Sequence, residues 1–263
     1  MTGPSAFHHD HYDPTDATID PSLLTAVLSQ HNITADNIWI FGFGSLVHTP
    51  GFAYTEKATV GVASKGLTLA PSRPPDAHSR PAYLPSLVLQ GYIRGWRRVW
   101  WQGSTDHRGT PEFPGRTVTL TPEEGATCWG VAYKLAGDAA QQMETLRYLE
   151  WREKQYDHRA YVTLWDGEGE DAVKVVEHEL LCYVATGDLG RNPNFLGEAE
   201  SLEALAGQVV RAEGPSGKNA EYVLKIRDAV RGAGAGGSDV EELMRLGEVV
   251  ERLVGLQDSS LTS

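Results

Sequence analysis

The stretch "LVLQGYIRGWRRVWWQG", residues 87 to 103, decides the fold. Its valine, isoleucine, tyrosine and tryptophan residues, broken by single glycines, favour an extended pleated strand. Two similar runs follow, "GRTVTLT" at 115–121 and "CWGVAYKL" at 128–135, set off by glycine and proline turns. Residues 88–135 therefore predict sheet, and a curved one. Downstream, Met143, Leu146 and Leu149 recur at intervals of three and predict a helix over 138–152. Two strands, about 159–165 and 173–185, return the chain to the sheet. Helices follow at about 198–213, 217–232 and 239–256, with "GAGAGGS" (232–238) a flexible joint between the last two. Upstream, Asp20-Pro21 reads as the cap and first-turn proline of a short helix carrying Leu23, Leu24, Val27 and Leu28, ahead of a strand at 38–42. Strands do not alternate with helices throughout, so the class is α+β. Residues 57–88 hold four prolines within "SRPPDAHSRPAYLPS" and read as an excursion from the domain.

Composition narrows the function. The 263 residues suit one large domain or two small ones, and no repeat is visible. A formal charge of −12 disfavours nucleic acid and anionic membrane as partners. The one basic run with aromatics, Arg94-Gly95-Trp96-Arg97-Arg98, reads as a strand whose charges flank the sheet. No apolar window spans a membrane, and the first residues lack the apolar core of a secretory signal, so a cytoplasmic protein is expected. Cys128 and Cys182 lie in apolar strand-like runs, as buried reduced thiols do, although a disulfide between neighbouring strands stays open. His8, His9, Asp10 and His11 are metal-ligand types. In a polar, proline-containing start ahead of any core element they read as an extension, and no metal is expected.

Two local features bear on chemistry. In "WIFGFGSLVHTPG" (39–51) a buried strand runs straight into Gly42-Phe43-Gly44-Ser45. A dinucleotide fingerprint fails, because Val47 replaces the third glycine, Pro50 and Gly51 bar a helix, and no carboxylate stands at 60–63. A nucleophile elbow fails too, since Phe43 and Val47 stand where glycines should flank Ser45. A nest of backbone N–H groups for a carboxylate or an oxyanion remains, against the commoner outcome of a plain strand-ending turn. The second feature is Glu153, i+4 from Leu149 and i+7 from Leu146, which shares their inward side. Burying a carboxylate there requires a partner or raises its pKa. A salt bridge to Arg152 or Lys154 is one explanation, and a general base working near neutral pH is the other. Glu144, nine residues away, falls on the opposite, solvated side.

Taken in order, "FGFGSL" (41–46), "GYIRGWRRVWWQGSTDHRGTPEFPGRTVTL" (91–120), "CWGVAY" (128–133), "YLEWREK" (148–154) and "GPSGKNAEYV" (214–223) resemble the ChaC-type glutathione-specific γ-glutamylcyclotransferases. The resemblance covers most of residues 38–256. It implies a compact mixed barrel-like sheet with packed helices, no metal or cofactor, and conversion of glutathione to 5-oxoproline and Cys-Gly. It would make Phe43-Gly44-Ser45-Leu46, with Ile40, Phe41 and Gly42, the binder of the γ-glutamyl head, Glu153 the catalytic acid/base, and Tyr222 part of the pocket wall. Gln102, Ser104 and Arg116 are secondary candidates for the Cys-Gly portion. Asp106 and Arg108 would hold the "GSTDHRG" turn, and Trp100 and Trp101 would be core or pocket wall. The implied layout is an extension over 1–36, a cyclotransferase-like domain over 37–257 with the insertion at 57–88, and a tail at 258–263; a surface loop is preferred to a lid for the insertion, and no oligomeric state follows. Two departures stand out. Phe43 replaces the tyrosine of the family's signature, and Gln155-Tyr156-Asp157 replaces the common Gly-Gly-Tyr. The rival functions are cyclisation of other γ-glutamyl peptides or amines, and non-catalytic binding of a γ-glutamyl ligand. The second fits poorly with a further buried negative charge at Glu153.

Overall fold

In a computed structural model of the protein the described residues are 28–31, 33–56 and 89–261. The helix opened by Asp20-Pro21 (apart from a helical turn at 28–30), the histidines at 8, 9 and 11, and the 57–88 insertion lie outside them.

Two long strands build the sheet. β3 (Leu89–Ser104) and β4 (Gly115–Leu135) form an antiparallel hairpin, and the two runs expected at 115–121 and 128–135 are one strand of 21 residues. Its middle, around Pro122, has β3 on one side and no strand on the other, an edge setting that tolerates proline. Register shifts between Arg94 and Trp96 and between Val99 and Gln102 bend the hairpin, and Gly95 at φ 78° supplies the left-handed residue of the first. β1 (Trp39–Gly42) lies at the centre, antiparallel to β4 and parallel to β6 (Leu180–Val184), and all four of its residues are buried. β5 (His158–Val162) closes one edge against β6, and β2 (Tyr54–Glu56) pairs with the end of β4. The expected strand at 173–185 shrinks to β6. Ahead of it, Lys174 makes only an isolated bridge to Trp165.

α1 (Ala139–Arg152) starts with a capping box in which Asp138 and Gln141 satisfy each other's backbone N–H groups. α2 (Leu202–Arg211) starts later than 198 because Ser201 is its cap, accepting from the Ala204 N–H. α3 (Asn219–Gly232) and α4 (Ser238–Leu261) pack on α2 and on each other, and α3 also touches β4 and the turn after β1. None of the described helices is long and apolar enough to cross a membrane.

Arg98 overturns the expectation that this basic run flanks the sheet. It is 2% exposed, donates to the Trp129 carbonyl, and sits 3.5 Å from Cys128 Sγ and 3.6 Å from Asp239 of α4. Its charge fits inside because α4 brings a carboxylate over it, a partner 141 positions away that no local pattern announces. Both cysteines are free and fully buried, so no disulfide forms. Burial pushes the Cys128 thiol up to about 12 and the Cys182 thiol well above its usual range.

Candidate active site

The chain leaves β1 at Gly42 and closes at once into a 3₁₀ turn, Ser45–Val47. A Cβ on Gly42 would stand 2.5 Å from that of Leu46, and one on Gly44 would stand 2.8 Å from Val118 Cγ2 and 3.2 Å from the Tyr222 hydroxyl. The two glycines thus clear space for the turn's own closure and for its contact with β4 and α3. The N–H groups of Ser45 and Leu46, first in the turn, donate to no backbone carbonyl among the described residues. The Tyr133 hydroxyl holds the Leu46 carbonyl at 2.6 Å.

Arg152, the last residue of α1, clamps this turn. Its guanidinium donates to Ser45 Oγ (3.1 Å), to the Thr49 carbonyl (3.1 Å) and to the Pro50 carbonyl, and its Nε lies 3.2 Å from Glu153 Oε1. Glu153 is the C-cap, its N–H bonded to the Leu149 carbonyl at 2.8 Å, so the helical direction persists long enough to aim the carboxylate inward. Its side chain is 13% exposed, and Oε1 makes no hydrogen bond among the described residues beyond that ionic contact. Burial raises its pKa; Arg152 and His107 oppose the rise and Asp106 adds to it. Lys154, the other cation suggested by the sequence, pairs with Asp106 at 3.7 Å instead.

Sequence reasoning passed over a second buried carboxylate, Glu150. It is four residues after Leu146, so the same periodicity marked it. Both its oxygens are occupied, by the Arg159 guanidinium and by the Tyr183 hydroxyl at 3.0 Å, and it lines neither cavity of the site. Glu150 is a satisfied structural pair, whereas Glu153 keeps acceptor capacity.

Glu153 stands where two cavities meet. A cleft of about 30 Å³ is lined by residues 41–46 with Tyr156 and Tyr183, and a cavity of about 320 Å³ opens from Ser45 and Glu153 towards Ser104, Arg108, Tyr222 and Lys225. Tyr156 donates to the Val118 carbonyl at 2.8 Å, while the Val118 N–H donates to the Tyr222 hydroxyl at 3.4 Å. Burial raises the pKa of both phenols, so both stay protonated. Since Tyr222 is held as an acceptor, its own proton remains available to the cavity. His48 also lines the larger cavity; burial, then Lys225, Arg108 and Arg152, lower its imidazole to about 4, so it is neutral at pH 7.

Among the sequence-derived candidates, Phe41 to Leu46, Glu153, Tyr222 and Ser104 line these two cavities. Ile40 does not, being enclosed within β1. Gln102 and Arg116 do not either. The Gln102 amide reaches the Gln155 carbonyl (3.2 Å) and exchanges bonds with Asn192, and Arg116 is taken up by Gln208 (2.7 Å) and the carbonyls of Trp100 (3.0 Å) and Gly197 (2.5 Å). Their polar groups hold segments together. Ser104 Oγ accepts the Arg108 N–H at 2.9 Å and so shapes the "GSTDHRG" turn, while Asp106 and Arg108 face the cavity. Tyr156, singled out in the sequence only as part of the departure Gln155-Tyr156-Asp157, lines both cavities, whereas Tyr183, His48 and Lys225 were missed, since nothing local distinguishes them from surface or core residues.

Comparison with known proteins follows the same outline. The family model described as ChaC-like protein matches residues 79–259. Gamma-glutamylcyclotransferase 2-3 of Arabidopsis thaliana is 38% identical over 208 residues, which cover 78% of this chain and 86% of the relative. Glutathione-specific gamma-glutamylcyclotransferase 1 of Homo sapiens is 34% identical over 205 residues, 77% of this chain and 73% of the relative. Among solved structures, a selenomethionine-labelled yeast γ-glutamyl cyclotransferase specific to glutathione superposes with a TM-score of 0.60. That match has 23% identity and covers 82% of this chain and 96% of that one, a likeness of fold.

Proposed function

Because the chain belongs to the ChaC-like protein family, we propose that it degrades glutathione by cyclising the γ-glutamyl group, releasing 5-oxoproline and Cys-Gly. The observation that carries this reading is Glu153: a carboxylate with a raised pKa, whose Oε1 has only the ionic contact with Arg152 among the described residues, at the junction of two cavities beside the 41–46 turn.

The reaction asks the protein for shape and proton transfer, since nucleophile and electrophile belong to one molecule. Oriented intramolecular attack is worth an effective concentration of about 10⁵–10⁸ M. Glu153 takes a proton from the substrate's α-ammonium group, and the freed amine nitrogen attacks the γ-carbonyl carbon. The bond from that carbon to the cysteinyl nitrogen then breaks, the departing nitrogen receives the proton from Glu153, and the carboxylate carries the second proton shed by the ring nitrogen to the freed amine, which leaves as an ammonium group while the ring keeps a neutral lactam N–H. No proton is gained or lost overall, and the carboxylate is regenerated. An unperturbed glutamate is too weak a base for this task near neutral pH, which is the use of burying it. The N–H groups of Ser45 and Leu46, which bond no backbone carbonyl among the described residues, and the Tyr222 hydroxyl are the donors suited to the α-carboxylate and the developing oxyanion. Phe43 and Gly44 shape the cleft for the γ-glutamyl head. The two buried free thiols suit a reducing compartment, and we place the protein in the cytoplasm.

The test is release of 5-oxoproline and Cys-Gly from glutathione by wild type and Glu153→Gln, without added metal, with γ-Glu-Ala in parallel. Release that is selective for glutathione and lost in the variant is the expected outcome. Equal turnover of γ-Glu-Ala would broaden the substrate class, and no release from folded protein would leave only ligand binding.

A further inference from the structure

Two cations that line the larger cavity, and not the 41–46 cleft, have no part in the chemistry above. Arg108, on the turn between β3 and β4, and Lys225, on the second turn of α3, both line the cavity, and each lies 3.7 Å from Glu221. That carboxylate is 53% exposed and does not line the cavity, so two positive charges face one largely solvated negative charge. Arg108 is the better buried, at 14% exposed. The base beneath it is firm: Arg108 Nη1 donates to the Lys218 carbonyl at 3.1 Å, and the Ser216 N–H donates to the His107 carbonyl at 2.9 Å, locking the β3–β4 turn to the turn at 214–217. The remaining charges of the cavity are internally committed. Arg152 is consumed by Glu153 and the 45–50 segment, and Asp106 by His107 (3.3 Å) and Lys154 (3.7 Å).

We propose that Arg108 and Lys225 form the site for the free C-terminal carboxylate of the substrate, and so restrict the protein to γ-glutamyl peptides that end in an unmodified carboxyl group. This rests on the cyclotransferase reading above. Once the γ-carbonyl is placed beside Glu153, the two residues beyond the scissile bond extend about 7 Å into the larger cavity. Their terminal carboxylate is the one full charge they carry, and the surplus cations are its complement. Glu221 acts as a competitor that holds both cations in place before substrate arrives.

The experiment compares glutathione with its glycyl monoethyl ester, identical up to that carboxylate. Turnover is measured as kcat/KM for 5-oxoproline release, and binding by calorimetry, for wild type, Lys225→Gln, Arg108→Gln and Glu221→Gln, with thermal melts confirming the fold. Wild type should prefer glutathione over the ester by about tenfold, the scale of one charge-assisted contact at a partly exposed site. Lys225→Gln, which removes a half-exposed side chain, should raise KM for glutathione about tenfold and leave the ester unchanged. Arg108→Gln should do the same. Glu221→Gln should lower KM for glutathione alone, a gain that a merely structural role would not give. Equal losses for both substrates, or no change in the ratio, would overturn the assignment while the cyclotransferase reading stands. If wild type releases 5-oxoproline from neither substrate, that reading fails, and the ratio of binding constants still decides whether the pair recognises the carboxylate.

Discussion

Glu150 and Glu153 stand three residues apart, both turned inward, and differ in what meets their oxygens. Glu150 is closed off by Arg159 and Tyr183, and Glu153 faces a cavity with one ionic contact. The same substitution should therefore have opposite consequences at the two sites. Glu153→Gln should cut kcat by about 10²–10⁴ while glutathione still binds, read by product release and calorimetry. It should also stabilise. A carboxyl whose folded pKa is raised contributes stability that is present below the unfolded pKa and lost as pH rises through the folded value. The variant should melt above wild type near about pH 8, and the two curves should converge by about pH 4. Glu150→Gln should instead cost about 1–3 kcal/mol in urea unfolding, by weakening a charge-assisted pair, with turnover by the folded fraction retained.

At the scale of elements, the site is a junction between the end of α1 and the turn after β1, and Arg152 is the joint. One planar guanidinium serves Ser45, Thr49, Pro50 and Glu153 together. Arg152→Lys keeps the charge but not the fork, so kcat/KM should fall by about 10²-fold, the scale of a small misplacement of the carboxylate proposed to move the proton. Gly42→Ala drives a Cβ against that of Leu46, where no flexible side-chain end can yield, and should destabilise by about 1–3 kcal/mol in chemical unfolding. Both halves of this junction were legible in the sequence. Glycines at a strand end and a carboxylate in helical register with Leu146 and Leu149 are local patterns. Gln102, Arg116 and Arg98 were not legible, because what consumes their hydrogen bonds arrives from far along the chain: Asn192 and Gly197 in a loop, Gln208 on α2, Asp239 on α4. A polar residue on a strand looks the same in sequence whether it faces substrate or a distant carbonyl. The strand expected from 173 fails for a related reason, since strand pairing resumes only where β1 and β5 offer partners to 180–184.

Across the whole molecule, α4 is fastened to the sheet by a charge inside the core. Asp239 is the one acidic partner of Arg98 among the described residues, and both side chains are 1% exposed. Asp239→Ala should cost about 3–5 kcal/mol by leaving the guanidinium buried and unpaired, whereas Arg98→Met combined with Asp239→Leu should recover most of that loss, measured by denaturant unfolding of the single and double variants. Cys128 lies against the same guanidinium, and Cys182 is sealed in β6. Thiol–disulfide exchange requires an accessible thiolate, and neither sulfur offers one. For a catalyst whose proposed substrate is itself a thiol, this is insulation: no mixed disulfide forms with the tripeptide, its oxidised dimer or the dipeptide released. Specific activity should then be unchanged after the protein is incubated with oxidised glutathione and the disulfide is removed before assay, since no covalent adduct forms to be carried over.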